Sequence, residues 1–310
     1  MNELALLLEE YLATRRALGN RLERSGRLLK RFVAFAVQNE IPFITTECAL
    51  QWATEPRDVQ PARWAGRLSM VRGFARYAHG VDPRHEVPPQ GLLSGQYRRR
   101  APYLYRDAEV AALIAAARAL SGTTGLRPLT YATMLGLLSV TGMRVSEVLN
   151  LDRDDVDLTG GVLSVRDSKF GKSRYLPMHA STTRALRRYA RHRDRLCPHP
   201  LVPAFFLAER GTRITEWALR WTFAKLSKQV GLRAPSKSHG IGPRLHDLRH
   251  RFAVNTLLRW YRDEVDVERH IPRLATWLGH AHVSDTYWYL TATPELLHLA
   301  AHRLDRRAPS

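Results

Sequence analysis

Lysine is nearly absent from this chain. Of its 48 basic residues only six are lysines, Lys30, Lys169, Lys172, Lys225, Lys228 and Lys237, so its cations are written as arginine and a retained lysine marks a candidate for a specific task. Cysteine is scarcer still. Cys48 and Cys197 lie in different halves without metal-ligand spacing, which argues against a disulfide framework and a cysteine-type zinc site. No stretch approaches the eighteen or more uncharged apolar residues of a membrane span. The opening MNELALLLEEYLATRR carries acids where a signal peptide carries bases. The expectation is a soluble, cytoplasmic protein with no membrane partner. Internal repeats and low-complexity tracts are also missing.

What is present in excess is positive charge. A net charge of +19 and a pI near 10.7 on a chain of 310 residues, 45% of them hydrophobic, describe a folded protein that attracts a polyanion by releasing its counterions. A solvated arginine surface is the plainer alternative, and nucleic acid is the favoured partner. The length allows two domains of ordinary size.

Residues from about 3 to 80 carry helical periodicity in Leu4, Leu7, Leu8 and Tyr11 and again in Leu28, Leu29, Phe32, Val33 and Phe35. Thr45 and Thr46 are candidate caps for a third helix, and Pro61 suits the first turn of a fourth that carries Trp64, Leu68, Val71, Phe74 and Tyr77. We therefore expect a helical domain over residues 1–90, a basic linker over 91–104 and a second domain over 105–310. Arg27, Lys30, Arg31 and Arg67 in the bundle, and Arg98, Arg99 and Arg100 in the linker, are candidate DNA contacts. Further on, Ser146 to Leu151 closes a helix and Asp152 to Gly161 is turn-rich. Val162 to Val165 and Arg174 to Met178 alternate as a β-hairpin with Lys169 and Lys172 at its tip. A further short strand is expected within Phe205–Gly211. The fold class is thus mainly α with a small antiparallel sheet.

Several polar residues in the second half have spacings that suit chemistry. Arg144 and Glu147 are three apart, as are His246 and Arg249, so each pair shares a helix face. A semi-buried ion pair and a guanidinium oriented to grip phosphate both fit the first pair. For the second, metal binding competes through His250, His280 and His282. Asp247 stands where the zinc-protease pattern needs glutamate, so no metal is expected. Together with Tyr287 and Tyr289 these residues suggest phosphoryl transfer to tyrosine. Arginines would stabilise the phosphorane, a histidine would manage the proton, and a lysine would protonate the departing sugar oxygen, with no cofactor.

In this order the motifs TGMRVSEVLNL, SKFGKSR, LHDLRHRFA and LGHAHVSDTYWYL resemble those of the tyrosine recombinase (phage integrase) family. The resemblance covers the whole chain, weakly in its first part. It implies a helical N-terminal core-binding domain and an α+β catalytic domain with Arg144, Lys169, His246, Arg249, His280 and Tyr289 as the catalytic set, Glu147 as a supporting residue and Lys172 as a phosphate contact. It implies site-specific recombination through a covalent 3'-phosphotyrosine, for integration, excision or transposition of a mobile element. The partners implied are double-stranded recombination sites in a prokaryotic nucleoid. The assembly implied is a homotetramer linked by exchange of the C-terminal helix TPELLHLAAHRLDRR, alone or with sister recombinases. The alternatives are a type IB topoisomerase or telomere resolvase, and a catalytically silent DNA-binding protein on the same scaffold.

The family spacing of nine residues from the LGH histidine selects Tyr289, whereas Tyr287 falls at seven. Tyr289→Phe is expected to abolish covalent attachment to DNA while Tyr287→Phe leaves some, as read on a denaturing gel. The reverse pattern would reassign the nucleophile.

Overall fold

The computed structural model describes residues 2–20, 22–96, 101–166, 173–233, 242–291 and 293–305. The chain forms two compact units, Met1–Arg100 and Ala101–Ser310. Lys169, Lys172 and Arg98 to Arg100 lie outside the described residues. Among the described residues no helix is long and apolar enough to cross a membrane.

The first unit contains α1 (Glu3–Ala17), α2 (Glu23–Gln38), α3 (Thr46–Thr54) and α4 (Pro61–Val81). Local chemistry sets their starts. Asn2 Oδ1 accepts from the Leu4 amide at 2.9 Å, Thr45 Oγ1 accepts from Cys48 at 3.1 Å, and Pro61 occupies the first turn of α4, where its missing N–H costs nothing. The periodic leucines meet Phe32, Trp52 and Phe74 in one core, with the Phe32 and Trp52 rings edge to face at 5.4 Å.

The second unit is built on α6 (Leu126–Thr141), which is buried on nearly every side. Against it pack α5 (Asp107–Arg118), α8 (Ala180–Leu196) and α10 (Leu245–Arg262). The short α7 (Val145–Asn150) follows α6 and touches α9 (Glu216–Gln229). The sheet has the order β1-β2-β3, all antiparallel, with β1 at Val156–Asp157, β2 at Val162–Val165 and β3 at Arg174–Pro177. Val162 pairs with Pro177 and Val165 with Arg174, and the opposed Leu163 and Leu176 both face inward. The expected hairpin strands are therefore present.

Two local expectations need correction. The segment after Asp152 was expected to be turns, yet it contributes β1, which at two residues is too short to show alternation. Phe205–Gly211 forms no named strand, only bridges between Asp152 and Ala204 and between Leu207 and Arg213. Ala204, Phe205, Phe206 and Leu207 are all buried, and side chains meet their backbone instead, with Tyr189 Oη accepting from Leu207 N at 3.2 Å and Arg193 donating to the Phe205 carbonyl at 2.8 Å.

A second apolar cluster gathers α10, α11 (Val267–Leu278), the four-residue α12 (Ser284–Tyr287), the 3-10 turn Trp288–Thr291 and α13 (Pro294–Asp305). Thr293 caps α13 through the Leu296 amide at 3.1 Å, and Leu296 is fully buried. Arg303 donates to the carbonyls of Glu264 and Val265 at 2.8 and 2.7 Å, so α13 rests on its own unit.

Candidate active site

The end of α11 is the geometric centre of the site. A helix C-terminus leaves its last carbonyls without intrahelical partners and concentrates partial negative charge there. Gly279 ends α11 in the left-handed region at φ +67°, which a residue without Cβ adopts readily. Three consecutive carbonyls of this terminus each receive one arginine. Trp277 O accepts from Arg174 Nε at 2.7 Å, Leu278 O from Arg249 at 2.6 Å and Gly279 O from Arg144 at 2.5 Å. The glycine of LGH has a second reason to be glycine. A Cβ there would lie 2.7 Å from Arg174 Nη1 and 3.2 Å from Arg144 Nη1.

Glu147 balances this positive charge from the other side. Its carboxylate takes Arg174 as a bidentate pair at 3.0 and 2.8 Å, Arg144 Nη1 at 2.7 Å and the Arg144 amide at 2.8 Å. Burial pushes this carboxyl upward, but the hydrogen bonds and charge of Arg174, then of Arg144, outweigh it and hold the pKa below the usual glutamate range. Arg144 does not lie within α7. It is the N-cap in extended conformation and Glu147 is the third helical residue, so the Glu147 carboxylate reaches back to accept from the Arg144 amide and guanidinium, and this cap rather than a shared helical face brings the two together. Glu147 thus caps a helix and orders two guanidiniums. Arg174 is absent from the sequence-derived set, although it is the arginine that ends SKFGKSR and was visible there.

Arg249 is buried on α10 and also donates to Gly142 O at 2.9 Å. Burial lowers its pKa to about 10, which leaves it charged at neutral pH. Gly142 ends α6 at φ +63°, and a Cβ there would meet the Phe252 ring at 2.5 Å. Asp247, the position weighed for metal chemistry, is buried and closes the start of α10, accepting from the Arg244 amide at 2.8 Å and from Arg244 Nη2 at 2.9 Å. Among the described residues no three His, Cys, Asp or Glu side chains converge as a metal site.

The histidines and Tyr289 close the site. Tyr289 is 3% exposed and Tyr287 46%, so the two tyrosines have opposite environments. The Tyr289 ring stacks on His280 with centroids 6.1 Å apart and lies 5.5 Å from His250, which meets His246 edge to face at 4.7 Å. His280 Nδ1 shares a 2.7 Å hydrogen bond with the buried Thr286 hydroxyl, which fixes its ring. Burial, then Arg249 and Arg144, lowers the His280 pKa to about 4. His246 is also held at about 4. Protein packed around the ring and then Arg249 lower it, although the residue as a whole is exposed. His250 is lowered to about 4 by burial and by His246, and its Nδ1 is buried without a partner among the described residues. All three imidazoles are neutral at pH 7, beside three guanidiniums and one carboxylate.

In the first unit, Arg27, Arg31 and Arg67 line one cleft between α2 and α4 together with Arg24 and Arg63. Arg67 is anchored within the unit, over the Trp52 ring at 3.7 Å and donating to Trp52 O at 2.5 Å. Lys30 does not line the cleft and pairs with Glu9 of α1 at 2.7 Å.

Comparisons with known proteins agree with this architecture. The model of the phage integrase family matches residues 104–295. The protein y4rB of Sinorhizobium fredii, provisionally named an integrase/recombinase, is 48% identical over 304 residues, covering 97% of this chain and 96% of that protein. Tyrosine recombinase XerC of Herpetosiphon aurantiacus is 30% identical over 295 residues, covering 90% of this chain and 87% of that protein. Among solved structures, the Tn1549 transposon integrase in complex with transposon right-end DNA matches with a TM-score of 0.68 at 17% identity, over 98% of this chain and 100% of that one. At that identity the likeness is one of fold.

Glu147 should be needed for stability. Glu147→Gln strands the nearly buried Arg174, and loss of one partner from a buried pair costs about 3–5 kcal/mol. Urea denaturation should show that loss, whereas Glu216→Gln, at an exposed pair with Arg220, should cost less than about 1 kcal/mol. Equal effects would contradict the clamp.

Proposed function

The chain belongs to the phage integrase family and is a tyrosine-type site-specific DNA recombinase, and from that premise we propose how its residues divide the work. Tyr289 Oη attacks a DNA phosphorus. The new bond is a 3'-phosphotyrosine, and the bond that breaks is the one to the 5' oxygen of the next nucleotide. Neutral His280 and His246 manage the tyrosine proton, since an imidazole whose pKa lies near 4 accepts hydrogen bonds at pH 7. Lys169 delivers a proton to the departing 5' oxygen. Arg144 and Arg249 use guanidinium N–H groups beyond those given to carbonyls and Glu147, and stabilise the charge that grows on the phosphorane. Glu147 and Arg174 hold Arg144 in place. The observation that carries this proposal is the gathering of three arginines at the end of α11, with Tyr289 against His280 and His250 and in electrostatic reach of Arg249.

Resealing runs the same steps backward with a 5' hydroxyl from another strand. The phosphotyrosine preserves the energy of the broken bond, so neither ATP nor a metal ion is called for. We further propose that residues 1–90 grasp duplex recombination sites through the arginine-lined cleft, with Arg98 to Arg100 and Lys172 as further phosphate contacts and 91–104 as the tether. Four protomers would then join on two sites as α13 leaves its own unit for a neighbour, alone or with sister recombinases. The setting we propose is mobile DNA, in keeping with the integrase/recombinase name of the 48% identical y4rB.

A nicked duplex carrying the recombination site traps the covalent step, because the small fragment released beside the nick diffuses away. A protein–DNA band resistant to denaturant is expected in EDTA and without ATP. Truncation after Ala292 should retain that band while losing higher assemblies on DNA. A requirement for metal, or assembly unaffected by truncation, would refute the corresponding step.

A further inference from the structure

Helix α8 carries positive charge that the catalytic site does not use. Its inward side buries Thr183, Leu186, Tyr189, Ala190 and Arg193. Arg193 is committed to the Phe205 carbonyl and to Asp194, and Asp194 also takes Arg153 at 3.0 Å. The outward side presents Arg184, Arg188, Arg191 and Arg195 at three- and four-residue spacing, all exposed. None of these four has a hydrogen-bond or ion-pair partner among the described residues. Like charges at these spacings repel along a helix, and that repulsion is relieved when a polyanion lies across them.

The arginine face points away from the catalytic side chains. The buried side of α8 packs on α6, where Tyr189 meets Thr130 at 3.1 Å, so the exposed arginines lie on the side of α8 turned from α6, whose far end at Gly142 receives Arg249 of α10. The sheet gives the same direction. β3 has Arg174 at its catalytic end and Pro177 about 10 Å away at the other. Arg187 of α8 donates to the Leu158 carbonyl, in the β1–β2 turn at the Pro177 end. One strand held by Arg144 and Arg249 therefore cannot also lie across Arg184 and Arg195.

We propose that the outer face of α8 is a second DNA-binding surface, which holds by its phosphates a duplex segment other than the one being cut. The proposal rests on the recombinase function only for its choice of DNA as the polyanion. From Arg184 to Arg195 the helix rises about 16 Å, a length over which one DNA strand presents about five phosphates. DNA is favoured over an acidic protein segment because, of the four arginines, only Arg188 also lines the apolar groove beside α8.

The test compares the native protein with two quadruple variants at Arg184, Arg188, Arg191 and Arg195, one all Gln and one all Lys. The probe is a mixed-sequence duplex of about 20 base pairs, far below the persistence length of about 150 base pairs and so too stiff to wrap from one face to the other. Sedimentation should count two duplexes per chain for the native and Lys proteins and one for the Gln protein. On longer DNA the Gln protein should show a salt dependence shallower by about 3–4 in log–log slope. Its covalent yield on the nicked recombination site should equal that of the native protein. A single duplex on the native chain, a Gln protein that still binds two, or a Lys protein that loses one would overturn the proposal. If the native protein made no covalent band yet kept the two-to-one difference, the second surface would stand and the catalytic assignment would fall.

Discussion

The structure depends on bringing three arginines together. Two unit charges ~4 Å apart repel by ~4 kcal/mol at an effective dielectric of ~20, so such a cluster does not form without compensation. Here the compensation is local. The carbonyls of Trp277, Leu278 and Gly279 at the end of α11 each take one guanidinium, and the Glu147 carboxylate takes two of the three. One helix terminus and one carboxylate thus set the positions of α7, β3, α10 and α11 relative to one another. Two glycines allow the close approach. Gly279 leaves room for Arg174 and Arg144, and Gly142 lets α6 end against Phe252 and present its carbonyl to Arg249.

The same arrangement explains the state of the other groups. Fixed positive charge disfavours another cation, so partial burial and then Arg249 and Arg144 keep His280 neutral, while for the exposed His246 the protein packed around its ring and the neighbouring Arg249 act in the same direction. Neutral imidazoles beside a tyrosine suit proton transfer, while fixed guanidiniums suit a phosphate whose charge rises in the transition state. Electrostatics that would cost stability in an empty site favour a substrate that brings negative charge. The buried Tyr289 belongs to the same apolar cluster as Leu296 of α13, so this tyrosine and the terminal helix share a core.

Much of this was legible in the sequence. Thr45 and Pro61 each start a helix as their chemistry dictates, and the alternation of Val162 to Val165 and Arg174 to Met178 marked the hairpin strands, the second of which ends at Pro177. The motif spacing separates Tyr289 from Tyr287 by position alone, and their environments, one stacked on His280 and one exposed, come from the fold. What the sequence hid was long-range or non-periodic. β1 is too short to alternate, and residues 204–207 cross the core with their polar backbone met by side chains from α8. Arg174 looked like one more arginine in a basic chain, because its partner Glu147 lies 27 residues away and its carbonyl 103 residues away. The link between Arg144 and Glu147 was visible, but its cause, a carboxylate that turns back to cap the Arg144 amide, required the backbone conformation.

The central claim is that this arginine cluster activates one particular tyrosine. The most direct measurement traps the native protein on a nicked recombination site, digests the covalent complex and identifies the nucleotide-bearing peptide by mass spectrometry. The account predicts a single modified residue, Tyr289, joined to a 3' phosphate. Attachment through Tyr287, through any residue other than tyrosine, or through a 5' phosphate would contradict it.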